Sequence, residues 1–157
     1  MRLSLRINGE VREVEAAAGD SLMNVLRRLG YLSVKNGCDR GDCGSCAVLI
    51  DGRAVTSCLM FAGTSEDAEI TTTEALADGG DLHPLQAANL DAAAVQCGFC
   101  TPGLLMTAVD LLSHDPDPSE QSVREAFAGS YCRCTGYVKP VEAVLDAARR
   151  MRGDDGG

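Results

Sequence analysis

Tryptophan is absent from this chain, and phenylalanine and tyrosine contribute only three residues each. No aromatic nucleus is available, so aliphatic side chains must build the core, and at 45% hydrophobic residues they are numerous enough to do so. Basic residues are also scarce: 14 Lys and Arg stand against 23 Asp and Glu, a formal charge of −9. Phosphate binding needs a basic stripe and an anionic leaflet needs a polybasic patch, so nucleic acid and membrane surfaces are unsuitable partners. No apolar run is long enough to span a bilayer, and Met1-Arg2-Leu3-Ser4-Leu5-Arg6 lacks the apolar stretch of a signal peptide. The expected compartment is the cytoplasm, where disulfides rarely persist. The chain has only two histidines; His83 and His114 fall at helix ends or in linkers and read as surface or capping residues.

What the chain does have is cysteine, eight residues in 157. That length suits one ordinary domain or two small ones. A domain of about 75 residues buries little surface and often needs a metal or a disulfide to hold it. In a reducing compartment, eight cysteines point to metal.

The pattern along the chain changes once. Leu3, Leu5 and Ile7 alternate, Asn8-Gly9 is a type I′ hairpin signal, and residues 10–15 return with Val11 and Val14. Asp20 or Ser21 can cap a helix carrying Leu22, Val25, Leu26 and Leu29 on one face. Gly30 to Gly44 has no periodicity. Ala47 to Asp51 and Arg53 to Ser57 form a second hairpin across Asp51-Gly52, and a strand near Glu69 to Thr72 completes an α+β half. Residues 73–84 read as a linker. After it everything reads helical: Leu85 to Ala94, then a helix capped by Thr101 with Pro102 first, then one opened by Ser119 or Ser122, then one with Pro140 first. The Gly/Asp tail from Arg152 reads as frayed.

Cys38, Cys43 and Cys46 have C-x₄-C-x₂-C spacing, that of plant-type ferredoxins. Gly37, Gly41 and Gly44 let the backbone approach a small anionic object, with N–H groups aimed at sulfur. Cys58 is the fourth candidate, because Cys46 and Cys58 lie six residues either side of Gly52 and hairpin pairing brings them together. A zinc site, a disulfide pair and four buried thiols are the alternatives. The second set joins Cys97 and Cys100 (C-x₂-C) to Cys132 and Cys134 (C-x-C), each pair ahead of an expected helix N-terminus, whose free N–H groups favour thiolates. Spacing alone leaves a Cys₄ zinc site open here; a thioredoxin-type pair would need a βαβ context that is lacking.

Taken in order, Cys38-x₄-Cys43-Gly44-x-Cys46 with Cys58, Gln96-Cys97-Gly98-Phe99-Cys100-Thr101-Pro102-Gly103, and Cys132-Arg133-Cys134-Thr135-Gly136-Tyr137 leave no cysteine over. This pattern resembles the small iron–sulfur subunit of the molybdenum hydroxylases, the xanthine dehydrogenase, aldehyde oxidase and carbon monoxide dehydrogenase family, over about residues 2–150. The resemblance implies an N-terminal ferredoxin-like (β-grasp) [2Fe–2S] domain over 1–76. An all-α four-helix-bundle [2Fe–2S] domain over 77–157, with a short flexible C-terminal tail, would follow it. It implies that Gln96 and Cys134 contact the pterin of a molybdenum cofactor on a large partner. Electrons would then run from molybdenum to the 97/100/132/134 cluster, to the 38/43/46/58 cluster, and to FAD on a medium subunit. The expected assembly is a dimer of heterotrimers, with no substrate site or catalytic residue on this chain. Ser45, where alanine is common, and Val138-Lys139-Pro140 after Gly136-Tyr137 are small departures from the family pattern.

A free-standing two-cluster carrier is the main alternative, and Gln96 speaks against it, since a carrier needs no amide beside its second cluster. A zinc-stabilised interaction module is a third. Arg133 could offset cluster charge, Lys35, Arg40 and Arg53 could face an anionic partner or only dilute local negative charge, and Arg152-Gly153-Asp154 reads as chance.

Overall fold

Asn8 and Gly9 take φ values of 54° and 78°, the left-handed pair that a type I′ turn requires. Across them strands β1 (Arg2–Ile7) and β2 (Glu10–Glu15) pair antiparallel. A computed structural model describes residues 1–154 of the chain. Leu3, Leu5 and Ile7 point inward and are buried, as the alternation requires. The return strand gives the core only Val14, opposite Leu3; Val11 lies opposite Arg6 and is 57% exposed. Residues three apart on a strand face opposite sides, so the two valines could not share the core.

Helix α1 (Leu22–Arg28) starts at Ser21, whose hydroxyl accepts the Asn24 N–H at 3.3 Å, and ends on Arg27 and Arg28, charges that suit its C-terminus. It buries Leu22, Met23, Val25 and Leu26; each such side chain contributes about 1.5–3 kcal/mol. Leu29 is the exposed C-cap, so the expected stripe ends at Leu26, and Met23 is buried beside it. Strands β3 (Ala47–Ile50) and β4 (Arg53–Thr56) pair across Asp51-Gly52, and β5 (Glu69–Thr71) lies between β1, which it pairs in parallel, and β3. The sheet order is β2-β1-β5-β3-β4.

The linker is tied down. Glu74 accepts the Ser33 N–H at 2.9 Å and its hydroxyl, and Asp78 and Asp81 exchange backbone hydrogen bonds of 3.1 and 2.8 Å. His83 caps α2 (Pro84–Asp91): its Nδ1 accepts the Leu85 N–H at 3.1 Å, and the Gln86 side chain accepts the His83 N–H at 3.0 Å. Burial lowers the pKa of His83, which keeps that nitrogen free to accept. The helix stops at Asp91, short of Ala94, where Ala93 turns left-handed.

Helix α3 (Thr101–His114) is capped by Cys100, not Thr101, so Pro102 is its second residue. Helix α4 (Glu120–Ala126) is capped by the Ser119 hydroxyl, which accepts the Ser122 N–H at 3.0 Å. Helix α5 (Val138–Arg152) starts two residues before Pro140, which is tolerated because N–H groups of a first turn have no partner within the helix. Arg152 donates to the Pro116 carbonyl at 2.6 Å and pairs with Asp117, so the expected fraying does not begin there; residues 155–157 of the expected tail lie outside the described residues.

Each half has its own buried cluster, one around Leu5, Leu22, Leu26 and Ile70, the other around Leu85, Leu105, Val123 and Val144. A third, smaller cluster joins them, where Met106 of α3 packs on Ala47 and Leu49 of β3. Beside it Asp110 accepts the Ala54 N–H at 3.0 Å and pairs with Arg53 at 3.4 Å, while Arg53 Nη1 lies 2.8 Å from His114 Nε2. Arg53 and His114 are thus spent on contacts between the two halves. Among the described residues no helix is long and apolar enough to cross a membrane.

Candidate metal centres

The loop after α1 wraps Cys38. Backbone N–H groups converge on its sulfur, that of Arg40 first, and hold the thiol down at about 7 against the opposing effect of burial. Gly37 has no room for a side chain, because a Cβ would stand 2.8 Å from the Cys43 sulfur. Arg40 is engaged with Asp42.

The Asp51-Gly52 turn is centred between its two residues, so the ladder pairs Ala47 with Thr56 and brings Ser57, not Cys58, opposite Cys46. Ser57 N–H and hydroxyl both donate to the Cys46 carbonyl, at 3.4 and 2.6 Å. A 3₁₀ turn over Ser57–Leu59 then rotates Cys58 back to meet the Cys46 thiol. Counting six residues either side of Gly52 finds the right cysteines through a register that is off by one. Burial, and after it the neighbouring Cys46, pushes Cys58 up to about 12.

In the second set Cys97 and Cys134 are exposed, with sulfurs 3.6 Å apart. Cys100 and Cys132 lie deeper and also interact; burial, then Cys132, pushes Cys100 up to about 12. Burial would raise Cys132 as well, but the Thr135 hydroxyl at 3.1 Å and the Thr135 and Cys134 N–H groups outweigh it and hold it at about 7. Cys100 caps α3, whereas Cys132 and Cys134 precede α5 by a short loop, so only one pair sits on a helix N-terminus.

Gln96 Nε2 donates to the Cys134 carbonyl at 3.1 Å and so ties the two motifs of this set together. Tyr137 is a brace that spacing did not reveal: its hydroxyl accepts the Cys132 N–H at 2.9 Å and donates to the Ser130 carbonyl at 3.1 Å. Its left-handed φ of 67°, directly after Gly136, turns the ring back under the loop. The run Thr135-Gly136-Tyr137 was the available signal.

All eight cysteines are free thiols, and they meet in pairs: 38 with 43, 46 with 58, 97 with 134, 100 with 132. Among the described residues no three His, Cys, Asp or Glu side chains gather about one point as a single ion requires. Two thiol pairs in each set, with backbone N–H groups aimed at the Cys38 and Cys132 sulfurs, fit a two-iron cluster held by four cysteines.

Residues 5–79 match the 2Fe-2S iron–sulfur cluster binding domain, and residues 72–145 match the [2Fe-2S] binding domain. The nicotinate dehydrogenase small FeS subunit of Eubacterium barkeri is 43% identical, over 94% of this chain and 95% of its own. The xanthine dehydrogenase iron-sulfur-binding subunit of Escherichia coli is 45% identical over 91% of each. The chain belongs to the family of small [2Fe–2S] subunits of the molybdenum hydroxylases. Its members are subunits of oxidoreductases, so larger partner subunits follow from membership. The fold agrees: a chain of quinoline 2-oxidoreductase from Pseudomonas putida 86 superposes with a TM-score of 0.94 at 41% identity, covering 99% of this chain and 98% of that one. In family terms the mixed sheet with α1 is the ferredoxin domain, and the helices after it form the second [2Fe–2S] domain.

Proposed function

We propose that this chain is the electron-transfer subunit of a molybdenum hydroxylase, relaying electrons from a molybdenum cofactor to FAD, both on partner subunits. The observation that carries the reading is the pairwise meeting of thiols at two sites within one chain. Cys38, Cys43, Cys46 and Cys58 would hold one [2Fe–2S] cluster and Cys97, Cys100, Cys132 and Cys134 the other, each thiol pair offering two ligands to one iron. Each cluster supplies one-electron storage. The chain's own residues exclude water from Cys46 and Cys58 and direct N–H groups at Cys38 and Cys132.

The division is put at 76/77, within the stretch 72–79 where the two domain matches overlap, with Leu76 already packing against the second core. Helices α2 to α5 are read as a four-helix bundle around the second core. The partners are a large molybdenum-cofactor subunit and a medium FAD subunit, assembled as a dimer of heterotrimers in the cytoplasm. No catalytic residue is assigned to this chain.

Gln96 and Cys134 form the proposed contact with the pterin. Both are exposed on one side of the second site, and the Gln96 amide is already oriented by its bond to the Cys134 carbonyl. Gln96→Ala removes that orientation without touching a thiol. The expected result is unchanged iron content with slower electron transfer from molybdenum, or lower cofactor occupancy, in the assembled enzyme. Full occupancy with unchanged rapid-reaction kinetics would reject the contact.

A further inference from the structure

Two glycines, Gly44 and Gly103, bring the two cysteine sites into backbone contact. Gly44, between Cys43 and Cys46, has φ +68°, and a Cβ there would lie 2.6 Å from the Gly129 carbonyl oxygen and 2.8 Å from the Ser130 hydroxyl. Gly103, in the first turn of α3 just after Cys100, presses from the other side: its Cβ would collide with the Gly44 carbonyl oxygen and stand 3.1 Å from the Ser45 Cα. The loop carrying Cys43 and Cys46 is thereby clasped between the start of α3 and the segment leading into Cys132. Tyr131 N–H closes the clasp on the Cys43 carbonyl at 3.0 Å. The obstructing atoms are mostly backbone, which cannot swing aside as a long side chain can. Farther along α3, Asp110 holds β4 through the Ala54 N–H and Arg53.

We propose that this clasp sets the separation of the two clusters, with Gly103 as its main positioning residue, so that the spacing belongs to this chain alone and not to the assembled enzyme. The proposal rests on the eight cysteines being the cluster ligands. Domains joined by a small interface ordinarily move against each other. Here the apolar seam of Ala47, Leu49 and Met106 is small, and direct backbone contact removes the remaining slack. Electron transfer between two carriers weakens steeply with distance, so a fixed gap fixes the rate of that step.

The test compares the parent with Gly103→Ala and Asp110→Ala in the cluster-loaded full chain. Gly19→Ala, at a position with nothing within 4 Å of an added Cβ, is the control. Three quantities are read: iron content, the magnetic splitting between the two reduced clusters, and exchange of the Tyr131 amide. Dipolar coupling falls with the cube of distance. Gly103→Ala is expected to keep its iron and both sets of g values while the splitting narrows and the Tyr131 amide exchanges faster. Asp110→Ala should move both quantities the same way by less, and it decides the matter if Gly103→Ala fails to fold. The parent splitting should be the same in the isolated chain and in the complex. Parent-like splitting and exchange in the folded variants, or a splitting that arises only on assembly, would overturn the clasp. A parent without two cluster signals would overturn the ligand assignment instead.

Discussion

Cys43→Ser is expected to remove half of the iron and one of two EPR signals, and Cys100→Ser to remove the other half and the other signal. The reason lies in the two cores. Cys43 belongs to a loop laid over the cluster of Leu5, Leu22, Leu26 and Ile70, while Cys100 caps α3 in the cluster of Leu85, Leu105, Val123 and Val144. Serine is nearly isosteric and leaves the backbone unaltered, so the Cys43 carbonyl still accepts the Tyr131 N–H that links the sites. Losing a cluster removes binding energy that is also folding energy for its half. The other half keeps its own buried residues and all four of its thiols. Iron analysis with EPR of dithionite-reduced samples checks both variants. Loss of both signals from either change would mean that the halves fold only together.

Met106→Ala is expected to destabilise the chain strongly without touching a thiol. Met106 is fully buried, and its neighbours Ala47 and Leu49 belong to the other half of the chain. Truncating a buried methionine to alanine costs about 2–5 kcal/mol, at the upper end where the walls cannot collapse into the space. Collapse is hindered here because β3 is held by β4 and β5 and α3 by the Asp110 contacts. The guanidinium unfolding midpoint should fall with an unchanged slope, and both clusters should still load at low temperature. A midpoint within experimental error of the parent would show that the seam contributes nothing to holding the halves together.

Local chemistry made much of this fold legible before any coordinates. Asn8-Gly9 and Asp51-Gly52 each place their turn, because few other residue pairs accept two consecutive positive φ values. Ser21 and Ser119 begin their helices for the same kind of local reason. The cysteine sets were legible because ligand spacing is a property of short loops.

Contacts across long stretches of sequence were not legible. Which of Val11 and Val14 faces the core is set only by the register, which places Val14 opposite Leu3 and Val11 opposite Arg6. Cys58 reads as the cross-strand partner of Cys46 until the turn centre makes Ser57 that partner and a 3₁₀ turn carries Cys58 back. The seam of Met106 with Ala47 and Leu49 and the Arg53–Asp110–His114 contacts join residues some 60 positions apart, and no periodicity reports on those. Helix starts at proline shifted by one or two residues, because any position in the first turn tolerates a missing N–H.

The most direct test of the central claim is a count of iron and acid-labile sulfide on the purified full chain, taken with EPR after dithionite reduction. Two four-cysteine sites of this kind predict about four irons and four sulfides per chain and two distinct signals, one from the loop of residues 38–58 and one from the pocket of residues 97–134. Two irons with a single signal, or zinc bound by Cys97, Cys100, Cys132 and Cys134, would contradict it.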